Sequence, residues 1–81
     1  MQPDVIIALT NHLADEYNDV VAYAELAKKA GDADGIAQIL MDIAKEEYTH
    51  ACHIEEILKD YGKSVSETSE LKDKAQSILF G

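Results

Sequence analysis

Gly31-Asp32-Ala33-Asp34-Gly35 is the stretch that decides the fold. A glycine stop followed by aspartates that can cap the next segment reads as a break between two helices. On each side lies a run of about 27 residues without Pro or Gly, rich in Ala, Leu, Ile, Glu and Lys, which favour helix. Ile6, Leu9, Leu13, Val20, Tyr23, Ala24 and Ala27 recur at three- and four-residue steps in the first run. Ile36, Leu40, Ile43, Ile54, Ile57, Leu58 and Tyr61 do so in the second. Both are amphipathic helices, over residues 4–30 and 33–61, and each would run roughly 40 Å. So short a loop folds them into an antiparallel hairpin.

The outer breaks are weaker. Gln2-Pro3-Asp4 suits a helix start, because proline tolerates the first turn. Gly62-Lys63-Ser64 ends the second helix, and Ser64 with Glu67 has capping-box spacing. A short C-terminal helix or tail over 65–80 follows. Its Leu71, Ala75, Ile78 and Leu79 are placed to cap one end of a bundle or touch another subunit. Nothing reads as a linker or repeat, so residues 1–81 make one domain.

Sixteen acids against seven lysines, with no arginine, give a net charge of −9, and the first cation is Lys28. A nucleic-acid surface needs a basic stripe, so that partner class is excluded, and anionic membranes with it. The longest apolar run, Val5 to Leu9, is too short to cross a bilayer, and no signal-peptide pattern is present. A lone Cys52 can form neither an internal disulfide nor a four-cysteine metal site. A soluble, acidic, cytoplasmic protein is the expectation.

A two-helix hairpin covers only the seam between its helices, and so small a core needs a metal, a staple or a partner. A second copy, completing an all-α four-helix bundle about a two-fold axis, is the simplest remedy. Three polar residues interrupt the apolar stripes. Glu16 falls between Leu13 and Val20, and Glu47 and His50 fall between Ile43 and Ile54. Glu46 is turned about 100° from Glu47 and faces outward. Buried carboxylates need partners. If Ala30 faces Ala33 across the turn, facing positions sum to 63, which puts Glu16 level with Glu47 and His50 one turn away. A two-fold axis then gathers four glutamates and two histidines in one layer, and two divalent ions would neutralise it. Carboxylate and imidazole donors without thiolate suit iron or manganese better than structural zinc. Two readings without metal stay open: Glu16 as a boundary residue whose head reaches water, and Glu47 with His50 as a polar pair that sets dimer register.

Glu16 with Tyr23 seven residues on, then Glu47-Tyr48-Thr49-His50, resembles the signature of ferritin-like and rubrerythrin-like di-iron carboxylate proteins. Full-length members carry that signature twice. This chain carries it once, over about residues 4–62, and so looks most like the half-length encapsulated ferritins, which build the site between two subunits. The resemblance implies a homodimer or larger homo-oligomer binding two iron ions per dimer, with manganese or zinc as alternatives. It implies ferroxidase-type oxidation of iron(II) by dioxygen or peroxide. Glu47 would bridge the metals, Glu16 and His50 would be terminal ligands, and Tyr23 would hydrogen-bond a ligand or donate an electron. A di-metal peroxidase or catalase-like enzyme, and a metal-free helical dimerisation module, are the alternatives. Rubredoxin-type cysteines are absent. Ser77-Ile78-Leu79-Phe80-Gly81 is a candidate docking peptide for an encapsulating shell protein, which would place the chain in a nanocompartment.

Tyr17, Tyr48 and Tyr61 read as packing residues, and Cys52 as a small one. His12, Asp15 and Asp19 near Glu16 fit a second metal site or an entry path for iron, or a solvated acidic face. The same holds for His53 and Glu56.

Overall fold

A computed structural model of the chain describes residues 2–31 and 35–81. Among these residues lie three α-helices: α1 (Pro3–Ala30), α2 (Ile36–Asp60) and α3 (Ser69–Phe80). A 3₁₀ turn, Ser66–Thr68, leads into α3. Pro3 stands in the first turn of α1, where a missing N–H costs nothing. Gly31 ends the helix at φ 63°, and Gly35 precedes α2 at φ 72°, a left-handed geometry that glycine adopts without strain. The expected caps Asp32 and Asp34, and Ala33 as the start of the second helix, lie outside the described residues.

α2 closes through two backbone bonds around Gly62, which sits at φ 78°. The Lys63 N–H donates to the Leu58 carbonyl, and the Gly62 N–H donates to that of Lys59, each at 2.9 Å. The capping box expected of Ser64 and Glu67 does not form. Glu67 accepts from the Lys63 ammonium at 3.2 Å, while Ser64 Oγ accepts from the Ser66 N–H at 3.3 Å. With its glutamate drawn to a cation, the segment makes a 3₁₀ turn first and becomes α-helical only at Ser69.

α1 and α2 pack along their length, and α3 folds back mainly onto α1. The row of α2 that meets α1 is Ala44, Ala51, Glu55 and Leu58, and α1 answers with Leu13, Tyr17, Val20, Val21, Ala24 and Ala27. Alanines at the seam let the two backbones come close. Leu13, Tyr17, Val20 and Leu58 are the largest fully buried side chains, and burial of each stabilises the fold by about 1.5–3 kcal/mol.

The expected core of α2 needs correction. Ile36, Ile57 and Tyr61 are exposed in the single chain, as is Ile39. Ile36, Ile57 and Tyr61 continue with Leu40, Ile43 and Ile54 as a stripe at alternating four- and three-residue steps, and Glu47 and His50 stand at its centre. α3 covers the hairpin's other side, about 100° round each helix. The molecule measures 46 × 19 × 15 Å, too thin to bury both sides of α2. Ile78 and Leu79, in the last turn of α3, are half-buried, and the Phe80 ring stands edge-on to Tyr48 at 5.6 Å.

Candidate metal centre

Glu16 lies in the middle of α1, and Glu47 and His50 in the middle of α2, far from any fraying end. Antiparallel pairing brings them to one level. Each offers a ligand atom, and these atoms all lie within 4.8 Å of one another. Among the described residues no other group of three or more carboxylate, imidazole or thiol side chains does this. Glu16 is only 8% exposed, so its head does not reach water as a boundary residue's would. Glu47 is half-buried and His50 is open to solvent on the outer stripe.

The electrostatics of the group are unfinished. Oε2 of Glu16 is buried without a hydrogen-bond partner. Glu47 meets Glu16, and two charged carboxylates have no proton to offer each other. The contact becomes a hydrogen bond only when Glu47 is protonated, and this pushes its carboxyl above the usual range. Burial and the charge of Glu16 push the same way, while His50 and His12 oppose. A divalent cation would satisfy both carboxylates at once, and one imidazole beside two carboxylates is a donor set suited to iron or manganese. The residues present therefore fit a metal of that class.

The other expected residues separate. His12 reaches the group, with Nε2 3.1 Å from Oε1 of Glu16. Asp15, Asp19, His53 and Glu56 are exposed and join no such group among the described residues. Tyr23 is half-buried two helical turns from Glu16, and no hydrogen bond links it to the group among the described residues. Tyr48 packs against Tyr17 at 6.1 Å between ring centres, and its hydroxyl accepts from Gln76.

A second polar cluster lies behind the first, and Tyr17 is more than a packing residue there. Its hydroxyl donates to Oε2 of Glu55 at 2.6 Å. Lys72 from α3 and Lys59 both donate to Oε1, at 2.9 and 3.0 Å. Burial acts to raise the Glu55 carboxyl, but these three donors outweigh it and hold the group at about 2. Tyr17 moves up, because burial and the bond to a carboxylate both favour its neutral form. Glu55 was legible in principle: eight residues after Glu47, it continues the row of Ala44 and Ala51.

The rubrerythrin family model matches residues 8–79. The chain belongs to the rubrerythrin family. Membership puts it in the ferritin-like, di-iron carboxylate class, and the matched span holds Glu16, Glu47, His50 and most of α3. No curated protein and no solved structure matches the chain. No helix among the described residues is long and apolar enough to cross a membrane.

Proposed function

We propose that two copies of this rubrerythrin-family chain join across the outer stripe of α2 and hold two iron ions between them, where iron(II) is oxidised. The observation that carries this reading is a ligand triad with a buried, partnerless carboxylate oxygen at the centre of an exposed apolar stripe. One chain offers two carboxylates and one imidazole. Two copies would bring four carboxylates, balanced in charge by two divalent ions, in the arrangement of dinuclear carboxylate sites.

Glu47 is the proposed bridge, with Glu16 and His50 as terminal ligands. Ile43 and Ile54 flank the pair along the stripe and would exclude water once a partner covers them. Tyr23, on the same side of α1 as Glu16, is the proposed hydrogen-bonding or electron-donating residue. Iron bound here supplies the electrons that dioxygen or peroxide takes up. The chain itself contributes position, charge and a dry surface.

The test is anaerobic loading with iron(II), followed by metal content, solution mass and oxygen uptake, on the wild type and Glu47→Ala. About one metal per chain in a dimer or larger assembly, lost with Glu47→Ala, is expected. Normal oxidation by an intact Glu47→Ala dimer would sink the assignment. A folded dimer that takes up no metal would instead be a helical dimerisation module. Faster turnover with peroxide than with dioxygen would make the centre peroxidase-like.

A further inference from the structure

The two oxygens of Glu16 are treated differently. Oε1 lies 3.1 Å from Nε2 of His12, one turn earlier on the same helix, while Oε2 is buried with no partner. His12 does not join the mutually close ligand atoms of Glu16, Glu47 and His50. It touches a ligand from outside the group.

We propose that His12 is a positioning residue for the metal centre. From this 3.1 Å contact a small turn of the exposed ring lets Nε2–H donate to Oε1 and fix the rotation of the Glu16 carboxylate, leaving Oε2 free for the cation. This rests on the reading of the triad as a metal site. A glutamate side chain has freely turning bonds, and a metal must order them unless the protein has already done so. A donor four residues away on a rigid helix supplies that order before metal arrives. Imidazole suits the task because it can donate a hydrogen bond while uncharged, whereas an ammonium would set a positive charge beside the incoming cation. Carboxylate ligands are commonly held by such outer partners, whose loss costs metal affinity without removing a ligand.

The position also allows a clean test. The His12 side chain is 60% exposed and lines a shallow groove with Val5 and Leu9, so its replacement opens no cavity in the core. Cobalt(II) binding is measured by calorimetry and by the visible ligand-field spectrum, on the wild type, His12→Ala and His12→Gln. Circular dichroism checks that each is folded. His12→Ala should weaken cobalt binding about tenfold or more with the same number of ions bound. His12→Gln keeps an N–H donor at similar reach and should recover most of the loss. Wild-type affinity in His12→Ala, equal losses in both variants, or a changed number of bound ions would each overturn the role. No cobalt uptake by the wild type would remove the metal-site reading, and the role of His12 with it. Uptake that ignores His12 would remove the role alone.

Discussion

Glu16 and Glu55 are buried to nearly the same depth, 8% and 5% exposed, yet one is left wanting and the other is fully served. Glu55 faces α3 and receives three donors from Tyr17, Lys59 and Lys72. Glu16 faces the other side of the hairpin, where it meets a second carboxylate and keeps one oxygen unpartnered. The chain closes the first cluster with its own residues and leaves the second open. Burial depth alone therefore says little about a carboxylate's role. What distinguishes the two is the compensating positive charge: Glu55 finds it in Lys59 and Lys72, whereas the proposed reading has Glu16 and Glu47 take it from a bound ion.

The largest test of this contrast is Glu55→Ala. It strips the acceptor from a buried tyrosine hydroxyl and from two lysines, and should destabilise the protein by about 3 kcal/mol. The lysines reach water, which keeps the cost at the low end of the usual range. The urea unfolding midpoint of metal-free protein measures it, and a loss under about 1 kcal/mol would break the comparison.

Acid offers a comparable effect through the same group. The Glu55 carboxyl is held at about 2 against an ordinary 4.5. A depressed value means that the contribution is complete above the ordinary value and fades as pH falls from there toward 2, by about 3 kcal/mol in all. Glu47 has the opposite sign. Its value is raised, so metal-free protein should gain stability as pH falls through the folded-state value toward the ordinary one. Unfolding midpoints across pH should rise on mild acidification and then drop. The drop should be missing from Glu55→Gln, and if it persists unchanged another carboxylate carries it.

The smallest effect is the sharpest about purpose. Glu16→Gln replaces one of two opposed carboxylates by an amide that can donate to Glu47. Metal-free protein should become more stable by about 0.5–1 kcal/mol, while cobalt affinity falls. Thermal unfolding with and without metal reads both signs. A loss of stability in metal-free buffer would mean that the acid pair serves the fold itself.

Much of this was legible in residue order. The break at Gly31 to Gly35, the three- and four-residue recurrence of apolar positions, and the equal distance of Glu16 and Glu47 from that break place the triad without coordinates. Glu55 escaped because a glutamate among Lys59, Glu56 and Asp60 looks like part of a solvated helix end. One of its two cations, Lys72, lies 17 residues away on a helix whose docking no local pattern reveals. His12 was visible only as one member of an acidic neighbourhood. By sequence Asp15 and Asp19 are its equals, since their separation from it depends on which way each points.

Residue order by itself determined the helices, their antiparallel pairing and the level at which Glu16, Glu47 and His50 meet. These follow from helical period and distance from a turn, which are local properties of the chain. Only the tertiary structure decided which side of the hairpin α3 covers. That choice leaves the stripe around Glu47 and His50 bare and encloses Glu55 among Tyr17, Lys59 and Lys72. The physical reason is that a helix's period sets the spacing of its faces, while what neutralises a buried charge depends on atoms that sequence distance does not bring together.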